Sequence, residues 1–532
     1  MKYAFLQGLN FQNAYTYDAA SNRVSLTAPD NSITTYGYDT LNRLNGMANS
    51  WAGSFGFGYD ALSRRTSLTR PNGVNTSYSY DSVSHLMSVL HQAGNTVVDG
   101  ASYTYDSAGN RTSKTNYLDG VTSSYGYDLL YQLTQVTQGG GTTESYSYDA
   151  VGNRLTSLGV PTYNYNSSNE LTANSNGSYT YDHNGNTLTD AQGRSFTWDF
   201  ENRLVQATNP GLGTTTFKYD PFGRRIQKSG PLGTTNYLYD GANLLEEVDQ
   251  SGNVLARYTQ GQKIDEPLAQ FRSGTAAYYQ VDGLASVTSI RDNSGTSVAA
   301  YSYDAFGNVA ASTGFITNPF RYTGREFDPE TGIYYYRARY YNLSLGGFIS
   351  EDPQRFESGV NFYTYVLNAP TVYKDPFGWD IWLEGPAGSE PTGHLSINVG
   401  DPNGSYASYS FGVDGNGLEG MVYQDVSHGG DFYPGYYLHT TAAEDAIAKA
   451  HLDSLLGSKD GYRPWRTCRT FSIKQFDHFK AEGLGTLGPP PPRAKDPRNS
   501  SFNVPWFSSL TASDPRGSSS SNSWTPASSN RK

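Results

Sequence analysis

The sequence predicts a mainly β protein, in which a long array of β-hairpins is followed by a small α+β domain. At 532 residues, the chain is too long for one compact core. Tyrosine and glycine are abundant, at 44 and 57 residues, whereas charged residues make up only 16% of the chain and hydrophobic residues 36%. This composition suits many short strands joined by glycine, asparagine and serine turns, and it excludes an all-α fold.

An aromatic-x-Tyr-Asp unit that recurs every 16 to 25 residues indicates that the strands form hairpins. An aromatic-x-aromatic run places both rings on one face of a strand, and the Asp-x-x-Gly-Asn-Arg pattern that follows makes a turn. A β-sandwich rich in tyrosine would give no reason for this regular return. We expect the tyrosine, aspartate and arginine residues of the units to serve stacking and turn formation. The aspartate or asparagine of each unit stands at positions 18, 39, 60, 81, 106, 128, 149, 166, 182, 199, 220 and 240.

The charge balance and the single cysteine limit the expected partners and cofactors. With 38 basic and 49 acidic residues the net charge is −11, so we expect neither nucleic acid nor an anionic membrane as a partner. Cys468 is the only cysteine in the sequence, which excludes an intrachain disulfide and a zinc site of several cysteines. We expect no cofactor and no metal ion.

The sequence also lacks the features of a membrane protein or of a cleaved signal. No stretch approaches the roughly 18 consecutive apolar residues of a membrane span. The first residues have neither the apolar run nor the cleavage site of a signal peptide. Because the repeat pattern has begun by Tyr15, we expect the array to continue in upstream sequence or on another polypeptide.

The repeat units resemble YD repeats, and the segment RYTGREFDPETGIYYYRARYYNLSLGGFISEDP at 321–353 resembles the core associated with Rhs repeats. The resemblance covers about residues 10–379. It departs from the family pattern at Asn342-Leu343, where Asp-Pro is usual, and at Gly347, where an arginine is usual. The resemblance implies a strip of hairpins that spirals into a hollow shell, closed at one end by the core and enclosing the C-terminal segment. We expect the YD-repeat shell at 1–300 and the Rhs-associated core at 301–379.

Two Asp-Pro pairs, Asp352-Pro353 and Asp375-Pro376, lie near the end of this core. Composition alone would make both of them turns. The resemblance implies instead an aspartyl-protease-like dyad of Asp352 and Asp375 that cuts the chain after Trp379. Two close carboxyl groups cannot both ionise, so one would hold a proton while the other activates water. The first motif is degenerate, because Gln354-Arg355 replaces the usual apolar residue and glycine.

The sequence after Trp379 predicts a hairpin and two helices. The segments GHLSINVG at 393–400 and SYASYSFG at 405–412 alternate as strands and flank the turn DPNG. An amphipathic helix is expected from Thr440 or Thr441 to Gly457, and a second helix over YRPWRTCRTFSIKQFDHFK. We expect this domain at 380–482 and a Pro/Ser-rich tail at 483–532.

Cys468 is the candidate nucleophile of this domain. A lone cysteine is most often a small buried hydrophobic residue. The start of a helix and the nearby arginines at 463, 466 and 469 would, however, both lower the pKa of a thiol. The order of strand with histidine, strand, helix, and helix with cysteine resembles the permuted papain-like fold of NlpC-type peptidases and lecithin-retinol-acyltransferase-like proteins. The resemblance implies Cys468 as nucleophile and His394 as base. Ser410, chosen among Ser408, Tyr409 and Ser410, would orient the imidazole.

Together these features predict a bacterial Rhs toxin, in which a β-shell carrier releases a cysteine-dependent effector that acts on a protein or lipid inside a target cell. Peptidase, amidase, deamidase and acyltransferase chemistry all remain open, because they share a thioacyl intermediate. The expected partners are a cognate immunity protein and a secretion-system spike or upstream region that delivers the toxin. The alternative is a non-enzymatic YD-repeat protein that binds a cell surface. A nuclease is disfavoured, because the C-terminal region lacks a convincing cluster of metal-binding carboxylates and histidines.

Overall fold

The computed structural model describes residues 11–354 and 360–378, together with the backbone of short strands outside these ranges. The chain divides into two units, Met1–Gly393 and His394–Lys532. The first unit begins with a two-stranded antiparallel pair formed by β1 (Lys2–Tyr3) and β2 (Phe11–Gln12).

A 14-stranded antiparallel sheet follows, in which every strand pairs with its neighbours in sequence. Its strands are β3 (Ala14–Tyr17), β4 (Arg23–Thr27), β5 (Ile33–Tyr38), β6 (Leu44–Asn49), β7 (Gly53–Tyr59), β8 (Arg65–Thr69), β9 (Val74–Tyr80), β10 (Leu86–Ala93), β11 (Thr96–Tyr105), β12 (Arg111–Asn116), β13 (Thr122–Tyr127), β14 (Leu133–Gln138), β15 (Gly141–Tyr148) and β16 (Arg154–Ser157). We call it the first sheet.

A small sheet and a second 14-stranded sheet continue the same pattern. The small sheet consists of β17 (Tyr163–Tyr165), β18 (Leu171–Asn174) and β19 (Gly177–Ser178). The second sheet consists of β20 (Thr180–Tyr181), β21 (Thr187–Thr189), β22 (Ser195–Trp198), β23 (Leu204–Asn209), β24 (Gly213–Tyr219), β25 (Arg225–Gly230), β26 (Gly233–Asp240), β27 (Asn243–Val248), β28 (Val254–Gln260), β29 (Pro267–Arg272), β30 (Thr275–Val281), β31 (Val287–Asp292), β32 (Ser297–Tyr303) and β33 (Val309–Gly314).

A compact tyrosine-rich segment closes the first unit. Among its described residues are two short 3-10 helices, Tyr322–Gly324 and Val366–Asn368. Its strands form a four-stranded sheet and a two-stranded pair, which are β34 (Glu326–Asp328), β35 (Ile333–Tyr336), β36 (Arg339–Asn342) and β37 (Gly347–Phe348), then β38 (Tyr373–Lys374) and β39 (Trp382–Leu383). In the second unit the backbone is described for a three-stranded antiparallel sheet and one further pair, which are β40 (Ser396–Gly400), β41 (Tyr406–Val413) and β42 (Gly420–Asp425), then β43 (Leu438–His439) and β44 (Thr486–Leu487).

The structure confirms the mainly β, antiparallel part of the fold prediction. The helices expected after Thr440 and around Cys468 lie outside the described residues, and so does the papain-like fold that depends on them. No helix in the described part of the chain has the length and apolar character that a membrane span needs.

In most repeat units the aspartate folds the turn that follows it; Asp240 instead contacts Tyr15 and Arg23. In the unit that ends at Asp60, the carboxylate oxygen Oδ1 accepts hydrogen bonds from the main-chain N–H of Leu62 at 3.0 Å and of Arg64 at 2.9 Å. Ser63 between them has a φ of +61°. A short carboxylate side chain can replace main-chain acceptors in this way, which is why aspartate recurs at the position.

In most repeat units the tyrosine before that aspartate ties the hairpin to the one before it. Tyr59 donates from its hydroxyl to the main-chain carbonyl of Leu44 at 2.8 Å, and Tyr148 donates to that of Leu133 at 2.9 Å. The sequence predicted stacking and turn formation for the tyrosine, aspartate and arginine residues of the units, and the structure gives these tyrosines a hydrogen bond to the preceding unit as well. We call this bond the tyrosine staple.

The arginine of a unit reaches forward to the next turn. Arg64 donates to the carbonyl of Asp81 at 3.0 Å and to Oγ of Ser84 at 3.1 Å, and its guanidinium lies 4.9 Å from the ring centroid of Tyr80. Each repeat thus bonds to the preceding repeat through its tyrosine and to the next repeat through its arginine. These contacts explain why the polar residues of the repeat recur together with its apolar pattern.

The two large sheets share a hydrophobic core. Leu26, Phe55 and Leu68 of the first sheet pack in one cluster with Leu268 and Tyr278 of the second. Buried ion pairs cross the same contact: Arg65 with Glu266, for example, joins β8 to the segment just before β29. The described sheets therefore form one packed body within the first unit.

Candidate self-cleavage site

The candidate site is built on the hairpin of β35 and β36, whose aromatic side chains are fully buried. Tyr334, Tyr336 and Tyr341 have no exposed surface and pack with Phe348 and Tyr365 in one cluster. Because neighbouring tyrosine rings surround it on several sides, this hairpin is a rigid support for the polar groups at its turn.

Asp352 and Asp375 each begin a tight turn near this hairpin. Oδ1 of Asp352 accepts from the main-chain N–H of Gln354 at 2.8 Å. Oδ1 of Asp375 accepts from the N–H of Phe377 at 3.2 Å and from that of Gly378 at 2.8 Å. The turn after Asp352 therefore forms even though Gln354 differs from the residue that is usual in the family pattern. In both residues the other carboxylate oxygen, Oδ2, contacts Arg339.

Arg339 brings the two aspartates together. Its Nη2 atom lies 2.8 Å from Oδ2 of Asp352 and 3.3 Å from Oδ2 of Asp375. The three side chains are 3 to 4% exposed. Two buried carboxylates that share one guanidinium nitrogen are in reach of a common reacting group, which is the arrangement that an acid and base pair needs.

A second group of buried charges lies beside this site. Arg325 donates to Oδ1 of Asp265 at 2.6 Å, and Arg337 donates to the same oxygen at 2.7 Å. Burial alone would raise the pKa of Asp265, but these two arginines hold it below its usual value. Arg337 also donates to the main-chain carbonyl of Pro376, so this charged group is linked to the turn that follows Asp375.

Of the residues selected from the sequence, the structure brings Asp352 and Asp375 together. Trp379, His394 and Cys468 lie outside the described residues. Ser410 lies on β41, where its backbone pairs with Ser396 on one side and Tyr423 on the other. In the described part of the chain, no group of three or more histidine, cysteine, aspartate or glutamate side chains could hold a metal ion.

Sequence reasoning missed Arg339. The signal that could have identified it is a charged residue within the aromatic run YYYRARYY. A strand with one solvent-exposed face would show the same pattern, so the run alone does not single out Arg339. Only the fold shows that this arginine is buried and faces two carboxylates far along the chain.

The Teneurin YD-shell family matches residues 92–371, more than half of the chain. The chain belongs to the YD-shell family. The chain is also similar to solved structures. The match to the crystal structure of TcdB2–TccC3–Cdc42 has a TM-score of 0.61 and a sequence identity of 21%, and it covers 70% of this chain and 22% of that chain. At this identity the likeness concerns the fold alone.

Two curated relatives of this YD-shell chain are toxins or nucleases by name. The tRNA3(Ser)-specific nuclease WapA of Bacillus spizizenii is 35% identical over 311 residues, which are 56% of this chain and 11% of the relative. The double-stranded DNA deaminase toxin A of Burkholderia cenocepacia is 26% identical over 373 residues, which are 63% of this chain and 24% of the relative. The chain thus spans a quarter or less of the length of either relative.

These relatives overturn two predictions made from the sequence. The prediction of a cysteine-dependent hydrolase or acyltransferase that acts on a protein or lipid is wrong, because the relatives are named as a nuclease and a DNA deaminase. The assignment of Cys468, His394 and Ser410 to a catalytic site stays a prediction, because their side chains lie outside the described part of the chain. The start of a helix flanked by arginines is too common a pattern to identify a nucleophile.

The expectation of no nucleic acid partner is wrong for the same reason. The net charge of −11 is summed over all 532 residues, most of which belong to the repeat array and its core. Such a sum describes the surface of the array and cannot exclude a nucleic acid site on a much smaller segment.

Proposed function

We propose that this chain is a toxin carrier: a YD-repeat shell whose core cuts the chain after Trp379 and releases the segment that follows. The observation that carries the proposal is the contact of Asp352 and Asp375 with the same Arg339 nitrogen, at the end of the array and a few residues before the proposed cut. Residues 1–300 would form the shell, 301–379 the core, 380–482 the released domain and 483–532 its tail.

The proposed reaction is hydrolysis of the peptide bond between Trp379 and Asp380. One aspartate in its ionised form takes a proton from a water molecule, and the water oxygen bonds to the carbonyl carbon of Trp379. The other aspartate in its protonated form donates to the carbonyl oxygen, which later returns this proton. The C–N bond then breaks, and the leaving nitrogen takes the proton that the first aspartate removed from water. The products are a carboxylic acid at Trp379 and an amine at Asp380, which together become a carboxylate and an ammonium group.

We further propose that the released segment acts on nucleic acid in a target cell, as a nuclease or a base deaminase. The support comes from the relatives, which share the array and carry names of these two activities. Delivery into another cell suits a carrier of this kind.

Self-cleavage is tested on the purified full chain in a denaturing gel. We expect two bands in place of one band of 58.2 kDa, with a new N-terminus at Asp380. Asp375→Asn and Asp352→Asn should each leave the full-length band. Asp328→Asn is the matched control, since Asp328 is also buried against an arginine, but that arginine is Arg225 and not Arg339, and it should be cut like the wild type. A wild-type chain that remains whole would overturn the proposal.

The released segment is tested on transfer RNA and on double-stranded DNA in separate reactions. We expect one of them to be altered, either by shortened products or by base changes read on sequencing. If neither nucleic acid changes while the chain is cut, the proposed activity is wrong and the carrier proposal stands.

A further inference from the structure

Lys228, on β25 of the second sheet, lies against two carboxylates of the core. Its Nζ atom is 3.1 Å from Oδ1 of Asp328 and 3.0 Å from Oε2 of Glu330. We propose that Lys228 and Asp328 become joined by an amide bond, with Glu330 as the group that moves the protons. This bond goes beyond the proposed function and plays no part in the proposed cut, which depends on other residues.

The three groups are largely shielded from water. The side chains of Asp328 and Glu330 are 2% and 6% exposed, and that of Lys228 is 14% exposed. The buried Tyr237 of the neighbouring strand β26 lies beside the amine. Charges that are buried in this way lose their hydration, so the conversion of an ammonium and a carboxylate into a neutral amide removes part of that cost.

Arg225 holds the opposite side of the aspartate. It is 1% exposed, and it donates from Nη1 to Oδ2 of Asp328 and from Nη2 to Oε2 of Glu326 at 3.1 Å. Lys228 contacts Oδ1 of the same aspartate, so the two oxygens have different partners. A fixed positive charge at Oδ2 stabilises the negative charge that develops on this oxygen when a nitrogen atom adds to Cγ. Oδ1 is then the oxygen that leaves.

The reaction is a condensation that releases one water molecule. Glu330 accepts one proton from the ammonium group of Lys228, and the neutral nitrogen bonds to Cγ of Asp328. The proton passes from Glu330 to Oδ1, a second proton follows from the nitrogen by the same route, and the bond between Cγ and Oδ1 breaks. The nitrogen keeps one of its three protons, the other two leave with Oδ1 as water, and Glu330 ends in its original ionised form.

The charges of this site make the reaction slow. Burial alone would lower the pKa of Lys228, but Asp328 and Tyr237 raise it above its usual value, so the neutral amine is rare. The fixed position of the nitrogen beside the carboxyl group compensates, because groups that are held in contact react as though they were present at a very high concentration. We therefore expect the bond to form gradually, after the chain has folded.

The bond would join two residues that are 100 positions apart in the chain. Asp328 ends β34 of the core, whereas Lys228 lies within β25 of the second sheet. Hydrogen bonds and ion pairs between these two elements open in denaturant, but an amide bond does not. The core would therefore remain attached to the second sheet even when the contacts around it open.

The experiment is peptide mass spectrometry on the full chain, which is purified, kept in buffer for increasing times, unfolded and digested with a protease. In the wild type we expect a linked pair of peptides, one with Lys228 and one with Asp328, whose mass is one water molecule below the sum of the two. Glu330→Gln retains both reacting groups and should form this pair about 100-fold more slowly. Lys228→Arg should not form it.

Lys114 provides a matched control in the same digest. Its Nζ atom is 2.8 Å from Oδ2 of Asp282, and among the described residues no second carboxylate lies within ion-pair distance of this nitrogen. The peptides of this pair should stay unlinked. Wild-type chain with no link between Lys228 and Asp328 at the longest time overturns the inference. A link that forms as fast in Glu330→Gln as in the wild type, or that appears equally at Lys114, also overturns it.

Discussion

His91 donates a hydrogen bond from Nε2 to the main-chain carbonyl of Val281, a residue 190 positions further along the chain, at 3.0 Å. The hydroxyl of Thr76 lies 2.7 Å from the other ring nitrogen and donates to it. The fully buried imidazole is therefore neutral and joins β10 of the first sheet to the end of β30 in the second.

This contact predicts a loss of stability in acid. Burial lowers the pKa of His91 to about 4; Arg70 and Arg291 act in the same direction, and Asp99 opposes them. In the unfolded chain a histidine takes up its proton near pH 6.5. Neutral His91 therefore contributes fully to the free energy of unfolding above pH 6.5. As the pH falls from 6.5 to 4, the free energy of unfolding decreases by about 3 kcal/mol.

The measurement is urea unfolding of the full chain between pH 4 and pH 7.5. A His91→Gln variant should lose about this part of the pH dependence, because glutamine can donate to Val281 without titrating. His183→Gln removes an exposed imidazole and serves as the control. An equal acid sensitivity in His91→Gln and wild type would contradict the prediction.

The buried carboxyl group of Glu246 predicts a loss of stability as the pH rises. It is 1% exposed, and burial together with the nearby Asp30 raises its pKa to about 8. Because the folded chain holds this proton and the unfolded chain releases it near pH 4.5, stability falls as the pH rises from 4.5 to 8. Glu246→Gln should be more stable than the wild type by about 5 kcal/mol at pH 8.5, and similar to it at pH 4.5.

Urea unfolding at these two pH values checks the difference. Glu201→Gln, at a side chain that is half exposed, is the comparison. The prediction fails if Glu246→Gln gains no stability over the wild type between pH 4.5 and pH 8.5.

The tyrosine staple predicts a cost for the loss of a single oxygen atom. Tyr59→Phe should lower the free energy of unfolding by about 1 kcal/mol, because the carbonyl of Leu44 loses its hydroxyl donor. Tyr17 occupies the same position in the first repeat, before Asp18. It is 56% exposed, and the structure describes no staple for it. Tyr17→Phe should therefore be neutral in the same denaturant titration, and equal effects in the two variants would argue against the staple.

Gly378 predicts a block of the proposed self-cleavage. Gly378→Ala would place a methyl group against the main-chain oxygen of Tyr336 and push the chain away from the turn between β35 and β36, so we expect the chain to remain whole on a denaturing gel. Gly223 has a similar φ of +77° with no atom within 4 Å of the added carbon. Gly223→Ala carries the same conformational strain, about 1 kcal/mol, and should be cut normally. Cleavage of Gly378→Ala at the wild-type rate would refute the role of this close approach.

The repeat array was accessible to sequence reasoning because its information is local. A tyrosine two residues after another aromatic residue and an aspartate before a glycine determine a strand and a turn wherever they occur. The staple from Tyr59 to Leu44 was not accessible, because the spacing of a unit does not tell which group of the previous hairpin a hydroxyl faces.

The site shows the same division. Asp352 and Asp375 were found because each carries its own local Asp-Pro pattern. Arg339 was missed because its importance depends on contacts with residues 13 and 36 positions away, which no local pattern records. The prediction of a cysteine hydrolase failed for a related reason, since an expected helix start with arginines describes an environment and does not identify a reaction.

The direction of the tyrosine staples has a consequence for synthesis on the ribosome. Each hydroxyl bonds to a carbonyl that was translated about 15 residues earlier. A hairpin that emerges from the exit tunnel thus finds its acceptor already in place on the growing edge, and the array can be extended one unit at a time from its N-terminal side. Asp375 emerges from the ribosome after all the repeats of the array. Asp352 and Asp375 therefore meet only when the array has been synthesised.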